Sequence, residues 1–286
     1  MPERGGVLSA STRLFALLGD PVSHSLSPAI HNAALQAAGI DGVYLALRVA
    51  PPDLAMAIGG ARALGIAGLN VTIPHKVSVI AHLDGVTPVA GLIGAVNTIF
   101  REGDRLIGDN TDVRGYRAML AGAPPGRALV LGSGGAARAV AFALVEEGAT
   151  VTIAARRLES ARRLAREVAG AFEASPVAAI PWAAVDAALP STDLLVNATP
   201  VGMADRSQSP LEAAALGRLP GHARVHDLVY GAHPTRLVLL ARERHLEATD
   251  GGTMLVHQAA AAFQRWTGVP APVDRMEQAF RRALAV

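Results

Sequence analysis

Of the 26 basic residues in this chain of 286, 25 are arginine, and the single lysine, Lys76, closes the segment Asn70-Val71-Thr72-Ile73-Pro74-His75-Lys76. An ammonium can give up its proton in a buried site, whereas a guanidinium effectively cannot. A chain that uses arginine elsewhere has kept lysine where proton transfer is needed, so Lys76 is the first candidate for a general acid or base. Asparagine is also scarce: Asn32, Asn70, Asn97, Asn110 and Asn197 are the only five, and each lies in a short polar cluster. The clusters Ser23 to Pro28, Asn70 to Lys76, Gly94 to Thr98 and Gly108 to Asp112 together offer hydroxyls, amides, carboxylates and one amine. A small polyhydroxylated acid would need that set of donors and acceptors.

A second chemistry sits at Gly132-Ser133-Gly134-Gly135-Ala136-Ala137. This G-x-G-x-x-A run falls between a predicted strand, Ala128 to Leu131, and a predicted helix, Arg138 to Glu147, the context a dinucleotide-binding turn requires. Gly132 and Gly134 would let the backbone turn tightly and approach a pyrophosphate. Ala137 would let helix and strand pack closely, and the free N–H groups of the first helical turn would attract the phosphate charge. An NAD site normally has an acidic residue about 20 residues beyond the first glycine, for the ribose 2′-hydroxyl. This chain has Ala154-Ala155-Arg156-Arg157 there. Two guanidinium groups suit a 2′-phosphate, so NADP is the expected cofactor.

The elements that must carry these residues alternate. Strands are predicted at Leu14 to Leu18, Val43 to Val49 and Gly68 to Ile73, with helices at Pro28 to Ala38 and Asp53 to Leu64, and a Pro-led helix start near Pro74. Ala95 to Phe100 and Arg105 to Gly108 read as a hairpin. After a helix from Val113 to Leu120, the segment Ala121 to Gly126 is the strongest linker signal. The pattern then restarts with the strand Ala128 to Leu131, and continues through strands Val151 to Ala154, Asp193 to Asn197 and Arg224 to Leu228 and a helix at Leu158 to Ala169. Such alternation predicts an α/β protein of two domains: an N-terminal α/β catalytic domain with a mostly parallel sheet, and a Rossmann-type doubly wound NADP domain. The expected limits are 1–112 with 251–286 for the first and 113–250 for the second.

Hydrophobic residues make up 51% and charged residues 17%, which excludes a disordered, collagen-like or coiled-coil chain. The formal net charge of +2 and the lack of a basic block argue against a nucleic-acid partner. The absence of cysteine excludes a disulfide framework, a Cys-based metal site and a thiol nucleophile. Residues 1–13 show no apolar leader, and no apolar run is long enough for a membrane span. The expectation is a soluble cytoplasmic protein with a small-molecule substrate and no membrane partner, acting as a monomer or homodimer. His24, His31 and His75 are spaced among residues with other roles, so no metal is expected.

Seven segments occur in an order that closely resembles the shikimate dehydrogenase family: Gly19 to Pro28, Asn70 to Lys76, Gly94 to Thr98, Gly108 to Asp112, Gly132 to Ala136, Asn197 to Met203 and Met254 to Ala260. The resemblance spans nearly the whole chain. It implies NADPH-dependent, reversible reduction of 3-dehydroshikimate to shikimate in aromatic amino acid biosynthesis, with Lys76 and Asp112 as the catalytic pair. It further implies that Ser25 and Ser27 bind the substrate carboxylate, that Thr72, Asn97, Asp112 and Gln258 contact ring hydroxyls, and that Tyr230 lines the pocket. Gly132, Gly134, Gly135 and Ala136 would hold the pyrophosphate, Arg156 and Arg157 the adenosine phosphate, and Leu228 and Gly251 would lie beside the nicotinamide. Three positions depart from the family pattern. Ala155-Arg156-Arg157 stands where many NADP-using members have Asn-Arg-Thr, Ser160 stands where a second phosphate-binding arginine often occurs, leaving that role to Arg157 or Arg162, and the segment Tyr230-Gly231-Ala232-His233-Pro234-Thr235-Arg236 departs from the commoner Tyr-Asn-Pro form. The rival readings are a quinate/shikimate dehydrogenase with relaxed cofactor use and a non-catalytic dinucleotide-binding sensor. A sensor needs no proton donor, so Lys76, Asp112, Ser25 and Ser27 occurring together argue against it.

Overall fold

The apolar run Leu14 to Leu18 becomes the buried strand β1 (Arg13–Gly19), and everything that positions the polar clusters of the N-terminal part is built around it. The computed structural model describes residues 8–120, 126–172 and 176–285. Contacts divide the chain into two units, Met1–Thr111 with Val256–Val286, and Asp112–Leu255. Most of the expected linker, residues 121–125, lies outside the described residues.

In the first unit β1 is followed by α1 (Ser27–Ala37), β2 (Gly42–Arg48), α2 (Leu54–Ala63), β3 (Gly68–Val71), β4 (Gly85–Val86), α3 (Pro88–Ile93), β5 (Thr98–Glu102) and β6 (Arg105–Asp109). Proline in the first turn of α1 and glycine beyond its end, Gly39 at φ 65°, fix its limits. Thr87 caps α3, its hydroxyl accepting from the Ala90 N–H. The described strands run in the order β2-β1-β3-β5-β6-β4. β1 pairs in parallel with β2 and β3, whereas β5 is antiparallel to both β3 and β6. The β5–β6 hairpin closes through Gly103-Asp104, with Gly103 at φ 61°. Ala16, Leu18, Ile58, Leu69, Val71 and Ile99 form part of the core against which this sheet packs.

No helix starts at Pro74. The chain makes turns and then a short 3-10 segment, Ser78–His82. The reason lies in the backbone partners: the Lys76 carbonyl accepts from the Val96 N–H at 2.7 Å, so it does not serve a helical ladder, while His75 N–H turns back to Thr72 O.

The second unit carries α4 (Asp112–Leu120), β7 (Arg127–Leu131), α5 (Gly135–Glu146), β8 (Thr150–Ala155), α6 (Leu158–Ala171), β9 (Val177–Pro181), α7 (Val185–Ala188), β10 (Leu194–Asn197), α8 (Ala213–Leu216), β11 (Arg224–Asp227), α9 (Arg236–Arg242) and β12 (Glu247–Asp250). Its strands are all parallel, in the order β12-β11-β10-β7-β8-β9. The chain thus winds outward in both directions from β7, the doubly wound arrangement expected from the sequence. Leu129, Leu131, Leu195, Val225, Leu237 and Leu240 lie in its core. α10 (Gly252–Thr267) and α11 (Val273–Leu284) complete the chain. Asp112 and residues 251–255 group with the second unit rather than the first. Asp112 is the first residue of α4, and the Gly251 N–H is tied to Val229 O.

Candidate functional site

In the first unit the polar residues gather at the carboxyl ends of β1 and β3 and just beyond β6. Strand pairing continues past the ladder here: Thr72 N–H donates to Leu18 O and Asp20 N–H to Ile73 O. This fixes the half-buried Thr72 beside the turn that leads to α1. In that turn Ser25 Oγ accepts from the Ser27 N–H, and Ser27 itself is buried. Gly19 has to be glycine, because a Cβ there would overlap the Thr72 side chain. Lys76 is half-buried, its backbone pinned by Val96, while the neighbouring His75 is buried with Nε2 donating to Val49 O at 2.7 Å.

Asn97, 2% exposed, is the centre of a buried amide and hydroxyl network. Its Oδ1 accepts from the Thr111 N–H at 2.8 Å and its Nδ2 donates to Gln258 Oε1 at 3.2 Å, which ties the residue just before β5 to α10. Asn70 Nδ2 donates to Asn97 O and to Thr98 Oγ1, and Asn70 Oδ1 accepts from the Tyr44 hydroxyl at 2.7 Å. Burial raises the Tyr44 phenol well above its ordinary range, so it stays a neutral donor. His31 stacks on Tyr44 at 4.3 Å, and its Nε2 has no hydrogen-bond partner among the described residues. Burial pushes its pKa down to about 3, with Asn70 acting weakly against that. A histidine stacked in the core and another bonded to a backbone carbonyl are thus structural residues.

In the second unit, Gly132 ends β7 at φ 115°, and its N–H donates to Ala154 O at 2.7 Å. A Cβ at 132 would lie 2.8 Å from Ala198 O, so both the dihedral and the space demand glycine. Gly134 is different. It has φ −82°, and a Cβ on it would meet nothing within 4 Å. The fold does not require glycine there; an approaching ligand would. α5 begins directly after it with no side chain capping its first N–H groups, while Ala137 is fully buried against the sheet. Arg156 and Arg157 stand exposed beyond β8, Arg157 at the N-cap position of α6, and Arg162 is ion-paired with Glu159 at 2.7 Å. This cradle fits a phosphate-bearing dinucleotide: an open glycine, an uncapped helix start and two arginines at the next strand end.

Leu228 and Gly251 follow the paired strands β11 and β12, and they touch. A Cβ on Gly251 would overlap Leu228 O. The half-buried Tyr230 follows, its phenol pKa raised by burial. Beneath this segment lies a buried carboxylate, Asp227, 1% exposed. Its Oδ1 accepts from Asn197 Nδ2 at 2.8 Å and from the Val229 N–H, and its Oδ2 from Thr235 Oγ1 at 2.6 Å. Burial raises its pKa, opposed by those three hydrogen bonds. Sequence reasoning missed Asp227 and Tyr44. The signal for Asp227 was an acidic side chain inside a predicted buried strand, and for Tyr44 the rarity of tyrosine, which occurs three times in the chain.

A family model described as the shikimate dehydrogenase substrate binding domain matches residues 17–99. Further models, described as shikimate / quinate 5-dehydrogenase and as the shikimate 5'-dehydrogenase C-terminal domain, match residues 120–241 and 251–279. The chain is 43% identical over 278 residues to a Synechocystis protein named shikimate dehydrogenase (NADP(+)), covering 95% of this chain and 96% of that one. It is 46% identical to the protein of that name from Moorella thermoacetica, covering 97% and 95%. Shikimate 5-dehydrogenase from Thermus thermophilus, solved in complex with NADP(H) and shikimate, superposes with a TM-score of 0.85 at 42% identity, covering 96% of this chain and all of that one. With the doubly wound second unit, the glycine cradle and the seven ordered segments already in place, these likenesses show that the chain belongs to the shikimate dehydrogenase family.

Proposed function

We propose that the chain catalyses the reversible, NADP-linked interconversion of 3-dehydroshikimate and shikimate, a step of aromatic amino acid biosynthesis, as a cytoplasmic monomer or homodimer. NADPH, when bound, supplies the hydride. The rest of the chemistry falls to the protein. Reduction of the ketone leaves negative charge on its oxygen, so a donor must give that oxygen a proton; in reverse the same group takes the proton from the alcohol. Lys76 has this role, and Asp112 orients it and holds the adjacent hydroxyl. Ser25 and Ser27 receive the substrate carboxylate, Thr72, Asn97 and Gln258 the ring hydroxyls, and Tyr230 lines the pocket. Gly132, Gly134, Gly135 and Ala136 cradle the pyrophosphate, Arg156 and Arg157 bind the 2′-phosphate, and Leu228 and Gly251 flank the nicotinamide.

The observation that best supports the role of Lys76 is its fixed backbone, with the carbonyl held by Val96 at 2.7 Å one residue before the Asn97 network begins. A general acid must be held within hydrogen-bond reach of the reacting oxygen, and a pinned segment does this without further ordering cost. The test is Lys76→Ala, with turnover and shikimate affinity measured separately. Turnover should fall by about a thousandfold while shikimate binding changes little. Near-normal turnover with intact binding would remove Lys76 from the chemistry.

A further inference from the structure

We propose that Arg206 is a positioning residue for the substrate pocket, its guanidinium clasping the segment 230–233 so that Tyr230 is held in place. This rests on the reading of Tyr230 as a pocket residue. Arg206 Nη2 donates to the Tyr230 carbonyl at 2.8 Å and Nη1 to the His233 carbonyl at 3.0 Å. Both acceptors belong to one short stretch of irregular backbone. Its ends are tied to the buried Asp227, through the Val229 N–H on one side and the Thr235 hydroxyl on the other. Between those ties, Arg206 adds two hydrogen bonds. The turn that presents Arg206 is itself fixed, since Asp205 Oδ1 accepts from both the N–H and the hydroxyl of Ser207.

The same contact explains why glycine stands at position 231. A Cβ at this position would overlap the Nη2, Cζ and Nη1 atoms of Arg206. The backbone does not demand glycine, for Gly231 is not among the positive-φ residues. The guanidinium has taken the volume a side chain would fill, so Arg206 and Gly231 work as a pair. A planar fork spans two carbonyls at once, which the single ammonium of a lysine cannot do.

The test uses the full chain as wild type, Arg206→Ala, Arg206→Lys, Gly231→Ala and the double variant Arg206→Ala with Gly231→Ala. Shikimate KM, NADP KM, kcat and amide hydrogen exchange over residues 229–235 are the readouts. Loss of two hydrogen bonds to a charged donor predicts that Arg206→Ala raises shikimate KM about tenfold, with kcat and NADP KM changed less than about twofold, and speeds exchange across that segment. Arg206→Lys should recover part of the loss. Gly231→Ala should raise KM when Arg206 is present and add nothing when it is absent. Additive effects, or an unchanged KM and exchange pattern in Arg206→Ala, would overturn the proposal. A wild-type protein that does not turn over shikimate with NADP would instead remove the pocket reading, and the exchange data alone would then decide whether the clasp exists.

Discussion

The ligand sites proposed for the two units are built by opposite means. In the first, the polar groups are side chains: Asn70, Asn97, Thr98, Thr111 and Gln258 form a buried hydrogen-bonded set in which each member orients the next. In the second, the proposed cradle is made of backbone and of missing side chains: Gly132 at a positive φ, Gly134 with open space beside it, and a helix start without a capping side chain. A polyol with several hydroxyls is distinguished by the direction of many hydrogen bonds, and these require fixed polar groups. A pyrophosphate is recognised by charge and by close approach of N–H groups, so removing atoms serves better than adding them. The difference predicts that the first site is sensitive to changes in side-chain type and the second to any added volume.

The glycines give the largest effect. Gly132→Ala forces a Cβ into the Ala198 carbonyl at an unfavourable φ and should destabilise the second unit by about 3 kcal/mol, seen as a lowered thermal midpoint. Gly134→Val should leave that midpoint nearly unchanged and weaken NADP binding by roughly tenfold to a hundredfold, the loss of one or two charge-assisted hydrogen bonds. If both variants behave alike, the distinction between a fold glycine and a ligand glycine is wrong. Asn97→Ala tests the other region. It strips the Thr111 N–H and Gln258 of a buried partner, which should cost about 2–3 kcal/mol in denaturant unfolding and raise shikimate KM while sparing NADP.

His31 makes the stability of the first unit depend on pH. Its folded pKa of about 3 lies below the ordinary 6.5, so the unfolded chain takes up a proton that the folded chain does not. The stability it contributes is complete above pH 6.5 and is lost as pH falls through the window between 6.5 and 3. The loss from this one residue between pH 6.5 and 5 should be about 2 kcal/mol, and His31→Leu should flatten the stability profile by that amount. His226, buried in the second unit with a pKa of about 4, adds a similar slope that the variant leaves intact. The smallest effect belongs to the exposed Arg156. Arg156→Ala should raise NADP KM about fivefold, near 1 kcal/mol, more at low salt than at high, and leave the KM for NAD unmoved.

How much of this was legible in the sequence follows from how local each cause is. The strand-turn-helix around Gly132 could be read because its signals sit within a few residues of one another, and so could the ends of α1 and α2, marked by Gly39 and Gly65. The Asn97–Gln258 bond spans 161 residues, and no local pattern announces it. The helix expected at Pro74 failed for a related reason: proline is a sound local start signal, but the Lys76 carbonyl is claimed by Val96 on a distant segment. Short elements such as β4, of two residues, and α8, of four, show too few residues for any helical or strand periodicity to emerge. The two glycines of the cradle looked alike in sequence and differ in structure, because only coordinates reveal which one faces the Ala198 backbone and which faces open space.

The most direct test of the proposed activity is the initial rate of NADPH or NADH formation by the purified wild-type chain, with shikimate or quinate as substrate and NADP or NAD as cofactor, in all four combinations. Shikimate with NADP should exceed every other pair by at least about tenfold, the discrimination expected when a 2′-phosphate and a set of fixed ring contacts each contribute more than about 1 kcal/mol. Equal or faster turnover of quinate or use of NAD would contradict the specificity assigned to the Arg156 region and the Asn97 network, and no turnover in any pair would contradict the enzyme itself.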